Sequence, residues 1–433
     1  MKGHLEPWIP EMHEIRTTER AILVSLESGD EEDDRSRIEE LKQLAYTAGA
    51  EVVGEFGQRR LKPDIASYLG QGKTEELFTE VKAVDADLVI VNGDLTPTQQ
   101  RNLEDVVDVR VVDRTQLILD IFAQRAHSRE GKLQVELAQI RYLLPRLTGT
   151  GTVLSRLGGG IGTRGPGETK LESDRRRIRD RIGDLAEEIE EVRQHRHVQK
   201  QARRELPFPT AALVGYTSAG KSILLNTLSG SHVLVDRKLF ATLDPTTRRV
   251  VLPDGWAVLV TDTVGFIRDL PHDLVAAFRA TLEEVTEADF LIHVVDANHP
   301  RMTAQMAAVS HVLTELDAAD KPTVTVFNKS DLVADQYFLR KIVAERPYSV
   351  YISALKRQGI PHIMAAVSKL LQSLLVRMSL EIPYERSDLV SLCYDSGKVL
   401  KAEYTPTGIL VEAEVSREIA GKLEKYARPT DTE

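Results

Sequence analysis

Between Ala211 and Asn226 the chain reads Ala-Ala-Leu-Val-Gly-Tyr-Thr-Ser-Ala-Gly-Lys-Ser-Ile-Leu-Leu-Asn, a stretch that few folds accept. The apolar run Ala211 to Val214 predicts a buried strand, closed by Gly215. After four intervening residues Gly220, Lys221 and Ser222 open a helix-compatible apolar run. This is a G-x-x-x-x-G-K-[ST] phosphate loop in the strand–loop–helix setting that the motif needs. The glycines let Tyr216, Thr217, Ser218 and Ala219 curl so that successive N–H groups point inward, and the helix start adds partial positive charge. Lys221 is then expected to reach the β- and γ-phosphates, and the Ser222 hydroxyl to ligate Mg²⁺.

Later motifs name the nucleotide. Asp262-Thr263-Val264-Gly265 closes an expected strand at Ala257 to Thr261. A carboxylate there holds a Mg²⁺-bound water, and the Gly265 N–H meets a γ-phosphate. Asn328-Lys329-Ser330-Asp331 follows another strand, Thr323 to Phe327. Asp331 is placed to accept the N1–H and exocyclic amine of guanine, with Asn328 at the base and Lys329 packed along it. Adenine offers an acceptor where guanine has N1–H, so the carboxylate selects guanine. Ser353-Ala354-Leu355 follows the last strand and offers a backbone N–H to the guanine oxygen. Singly each tetrapeptide is an ordinary polar loop; in this order at successive strand ends they specify a GTP- and GDP-binding domain. A threonine in Leu239 to Arg248 is expected to ligate Mg²⁺ and sense the γ-phosphate, with Thr242 the first choice and Thr246 the alternative. Lys221, Thr242 and Gly265 are thus the residues expected at the reacting phosphate. Phe266 stands where many GTPases carry a water-orienting glutamine, so hydrolysis should need help from outside.

The fold class expected is α/β: a doubly wound phosphate-loop domain at 206–373, with smaller domains on both sides. Residues 1–19 are expected to be a flexible tail, and 20–130 a small α/β domain of alternating strands and helices. Its acidic run Asp30 to Asp34 is read as favourable charge just before a helix over 35–47. In 131–205, Leu133, Leu137, Ile140 and Leu144, then Ile178, Ile182, Leu185, Ile189 and Val192, predict two helices packed as an antiparallel hairpin. Between them, Gly158 to Lys170 carries six glycines and Pro166, which argue against regular structure. Arg156, Arg164 and Lys170 lie in or beside it, and Arg175, Arg176 and Arg177 follow. The residues alone fit either a flexible connector with a solvated helix or a tip that approaches a polyanion. Residues 374–433 are expected to form a small α+β domain. A net charge of −10 argues against indiscriminate nucleic-acid binding. The single cysteine, Cys393, excludes an intramolecular disulfide. The chain has neither a transmembrane run nor a signal-peptide core, and we expect a cytoplasmic monomer.

Gly158 to Thr169, Asp120-Ile-Phe-Ala-Gln-Arg-Ala, Glu130-Gly-Lys-Leu-Gln-Val-Glu-Leu-Ala-Gln and Phe240-Ala-Thr-Leu-Asp-Pro-Thr together resemble the HflX family of bacterial GTPases, over about residues 20 to 375. The resemblance implies a GTPase that associates with the large (50S) ribosomal subunit and splits or rescues stalled or idle ribosomes under stress. It also implies that Gly158 to Lys170 faces 23S rRNA and that the ribosome stimulates hydrolysis. Ser218 departs from the family's usual asparagine, which puts potassium stimulation in doubt. Ile223 replaces its usual threonine, a milder change, because the Ile223 N–H still meets the α-phosphate. Two other readings are a GTP-gated adaptor for a regulatory protein and an ATP-driven RNA remodeller; Asn328 and Asp331 speak against the second.

Overall fold

The computed structural model describes residues 18–146, 166–204, 208–231, 238–268 and 279–428. The chain divides into two compact units, Met1–Ala186 and Glu187–Glu433.

In the first unit, strands β1 (Arg20–Glu27), β2 (Glu51–Arg59), β3 (Leu88–Val91) and β4 (Arg110–Asp113) form a parallel sheet in the order β2-β1-β3-β4. Every residue of β3, Leu-Val-Ile-Val, is buried, as expected of a parallel strand covered on both faces. The covering helices are α1 (Glu31–Ala48), α2 (Gln71–Ala83), α3 (Pro97–Val107) and α4 (Arg114–Arg125). Helix α1 starts four residues before its expected position, because Asp30 caps it by accepting from the Glu32 and Asp33 N–H groups. The remaining acids therefore fill the first turn, and Asp34 reaches back to the Ser28 and Gly29 N–H groups at 2.9 and 3.0 Å.

Helix α5 (Arg129–Leu143) is capped by Ser128. Just beyond its end, Arg146 donates to the Leu95 carbonyl at 2.7 Å and to buried Asp113 at 3.1 Å, and stacks 3.4 Å above the Tyr142 ring. These contacts tie the C-terminal end of α5 to the sheet and to the loop after β3. Helix α6 (Pro166–Arg204) corrects one expectation: Pro166 to Lys170 are helical rather than irregular. Proline suits a first helical turn, where its missing N–H would have had no partner and its φ is already set. Arg181 of α6 pairs with Glu136 of α5 at 2.8 Å.

The second unit carries a six-stranded sheet in the order β10-β9-β8-β5-β7-β6. Its strands are β5 (Thr210–Val214), β6 (Thr246–Val251), β7 (Ala257–Asp262), β8 (Phe290–Asp296), β9 (Thr323–Asn328) and β10 (Ser349–Tyr351). All pairings are parallel except β6 with β7, which places an antiparallel strand at one edge. Helices α7 (Lys221–Ser229), α8 (Arg279–Glu287), α9 (Met302–Glu315), α10 (Gln336–Ala344) and α11 (Ile360–Leu374) accompany the sheet. One apolar cluster gathers Leu213, Leu224, Ile292, Val324 and Ile363; another gathers Ala212, Leu291, Val309 and Phe266. Alternate residues of β5 and β8 thus enter different clusters, as the period of two in a strand requires. The chain ends in β11 (Leu375–Ile382), α12 (Ser387–Ser396), β12 (Gly397–Thr405), β13 (Gly408–Ser416) and α13 (Arg417–Leu423), the strands forming an antiparallel β11-β13-β12 sheet. Among the described residues no helix is long and apolar enough to cross a membrane.

Candidate nucleotide site

The motif residues converge at the C-terminal ends of β5, β7, β9 and β10, where open parallel sheets bind ligands. The loop Gly215 to Gly220 leaves β5 in a conformation set by close backbone approach. At Gly215 φ is +153°, and a Cβ there would lie 2.2 Å from the Val294 carbonyl oxygen of the neighbouring strand. Tyr216, Thr217 and Ala219 are buried, whereas Ser218 is exposed in a left-handed conformation with φ of 61°. Ile223 packs beside the sheet core.

Lys221 is buried at the start of α7, its Nζ donating to the carbonyls of Gly215 at 3.1 Å and Tyr216 at 3.2 Å. Burial pushes its pKa down to about 8, partly offset by the Asp262 carboxylate. A charge held this way gains most when an anion enters the loop. His293, on β8 beside Val214, is buried as well; burial and then Lys221 push its pKa down to about 4, so it is neutral at pH 7.

Three side chains named from three separate motifs meet at one point. Ser222 Oγ donates to Asp262 Oδ2 at 2.6 Å, Thr242 Oγ1 donates to the same oxygen at 2.7 Å, and the two hydroxyls lie 2.9 Å apart. Thr246 instead begins β6, opposite Asp262 in the ladder. The other Asp262 oxygen, Oδ1, is buried and has no hydrogen-bond partner among the described residues. A buried carboxylate oxygen left open beside two hydroxyls is a donor set suited to a hard, oxygen-seeking cation such as Mg²⁺. Thr263 braces the strand below by donating to the Leu213 carbonyl at 2.7 Å, and Val264 is buried.

On the base side, Asn328 is 3% exposed and turned inward: its amide donates to the Ala219 carbonyl at 2.8 Å and accepts from the Ala354 N–H at 3.0 Å. It joins the phosphate loop to the Ser353–Leu355 loop, and the Ala354 N–H is engaged with it. Lys329, left-handed with φ of 60°, pairs with Asp296 at 2.5 Å. Asp331 is held by the buried Ser353 hydroxyl and by Lys356 at 3.1 Å, which keep its carboxyl below the usual carboxylate range. Leu355 is exposed. Sequence reasoning missed Asp296, Lys356 and His293, whose partners come from other strands or loops. Register offers the one signal for Asp296, which lies directly across from Asn328.

Of the cationic residues, Arg175 is half-buried and Arg176 and Arg177 are exposed on α6. Lys170 lies in the first turns of that helix, while Arg156 and Arg164 fall outside the described residues.

Residues 35–123 match the family described as GTP-binding GTPase N-terminal, 125–203 the GTP-binding GTPase Middle Region, and 210–329 the 50S ribosome-binding GTPase. GTPase HflX of Caldanaerobacter subterraneus subsp. tengcongensis is 50% identical, over 97% of this chain and 96% of its own. GTPase HflX of Escherichia coli is 43% identical, over 87% and 88%. A solved complex of SsGBP with GDP is 24% identical, with a TM-score of 0.48, covering 82% of this chain and 99% of that one.

Proposed function

Since the chain belongs to the HflX family of GTPases, which bind and hydrolyse GTP, we propose that its nucleotide cycle governs docking on the large (50S) ribosomal subunit and the splitting of stalled or idle ribosomes. The observation that carries the cycle is the meeting of Ser222, Thr242 and Asp262, because it couples the loop around Thr242 to the phosphate site. Ser222 and Thr242, with Asp262 acting through water, would hold Mg²⁺. Bound there, the ion neutralises charge on the β- and γ-phosphate oxygens. Lys221 turns from the Gly215 and Tyr216 carbonyls to the phosphates, the Gly265 N–H donates to the γ-phosphate, and the loop amides cradle the chain of phosphates. Asp331 accepts from guanine, while Asn328 fixes the two loops that enclose the base. The Phe266 ring lies in the apolar core and cannot orient water, so the large subunit must complete the catalytic arrangement.

Support for a ribosomal partner comes from the 50S ribosome-binding GTPase match and the arginines of α6. These arginines, with Arg156, Arg164 and Lys170, would meet 23S rRNA phosphates, at a site in the cytoplasm and with the protein acting as a monomer. Co-sedimentation with large subunits and a non-hydrolysable GTP analogue tests this. Binding should weaken steeply with salt, and charge reversal at Arg164 and Arg176 should abolish it. Equal GTP turnover with and without subunits would refute the proposal.

A further inference from the structure

The backbone from Gly265 onward lies against the phosphate loop, close to Thr217 and Lys221. Three hydrogen bonds among the described residues hold it. The Phe266 N–H donates to the Gly215 carbonyl at 3.1 Å, and the Phe266 carbonyl accepts from the Thr217 N–H at 2.7 Å. The third comes from a side chain: the Tyr216 hydroxyl accepts from the Arg268 N–H at 2.7 Å. Tyr216 is 6% exposed, so its phenol is fixed by its surroundings. The segment is also seated tightly, since a Cβ on Gly265 would come within 2.8 Å of Thr217 Cγ2 and 3.0 Å of Lys221 Nζ.

We propose that Tyr216 is a positioning residue for GTP hydrolysis: from within the phosphate loop, its hydroxyl holds the Gly265–Arg268 segment in register with Lys221. The two backbone bonds form with any sequence, whereas the third depends on a hydroxyl at position 216. A phosphate loop needs no large side chain there to bind phosphates, because its amides do that work. The hydroxyl therefore acts on the segment that approaches the γ-phosphate, and GDP lacks that phosphate. This inference concerns the free protein and stands whether or not a ribosome is the partner.

Tyr216→Phe removes the oxygen and keeps the ring. Single-turnover hydrolysis by the free full-length chain should slow about fivefold, the scale of one lost hydrogen bond. GDP affinity, read by titration, should stay within about twofold, and amide exchange at Arg268 should quicken in the presence of a non-hydrolysable GTP analogue. Tyr216→Leu should slow hydrolysis at least as much. An unchanged or faster rate in Tyr216→Phe overturns the proposal. So does a slower rate with unaltered exchange at Arg268, or an equal loss of GDP affinity, which would make Tyr216 a general brace of the loop.

Discussion

Thr242 Oγ1 and Ser222 Oγ donate to a single oxygen, Oδ2 of Asp262, although 20 residues separate each neighbouring pair along the chain. One loop threonine is thereby joined to the phosphate-loop serine, and the other, Thr246, is committed to a strand.

Thr242→Ala should therefore erode the preference for GTP over GDP in Mg²⁺ by about tenfold, the scale of one hydrogen bond to a charged group. Thr246→Ala should leave the preference within about twofold. Titration of both nucleotides with and without Mg²⁺ checks this, and the opposite pattern would transfer the switch role to Thr246.

Asn328→Ala strands the Ala219 carbonyl and the Ala354 N–H in a buried place. Each unsatisfied group costs about 1–3 kcal/mol. GTP and GDP affinity should fall together by at least about tenfold, with a lowered unfolding temperature. Loss of GTP alone would contradict the bracing role.

The nucleotide-free protein should carry an acid-sensitive step at His293. Its folded pKa of about 4 lies below its ordinary 6.5, so between these values the unfolded chain binds the extra proton. This contribution is complete above about pH 6.5 and is lost as pH falls towards 4, by about 3 kcal/mol. His293→Gln should flatten that part of a denaturation-versus-pH curve. An unchanged slope would mean that another group titrates there.

Ser218 sits at φ of 61°, which a β-carbon makes costly and asparagine tolerates better. Ser218→Asn should gain on the order of 0.5 kcal/mol, or about 1–2 °C in melting temperature. Thermal melts of the two proteins check this, and an unchanged or lower melting temperature would contradict it.

Strands β3, β5 and β8 are readable because each is a short, largely apolar run between turn residues, whereas the edge strand β6 is mostly polar and begins at Thr246, ahead of the apolar run that suggests a strand from Arg249. The start of α1 is not legible from charge alone, since an acidic run suits a position ahead of a helix as well as its first turn; here Asp30 caps the helix and the other acids form that turn. Glycine content argues for irregular structure at Pro166 to Lys170, yet proline can open a helix as readily as end one, and here it does.

By itself the sequence laid out the motifs: a phosphate loop with its lysine and serine, then two carboxylates in segments that follow apolar runs, in the order expected of a guanine-nucleotide domain. Local spacing and hydrogen-bonding capacity are written in residue type, so they survive without coordinates. The tertiary structure decided which groups share an atom. It joined Thr242 to Ser222 and Asp262, turned Asn328 inward onto two loops, brought His293 near Lys221 and placed the Tyr216 hydroxyl on the Arg268 amide. Those pairings depend on strand order and register, which bring together residues far apart in the chain, and no local pattern encodes them.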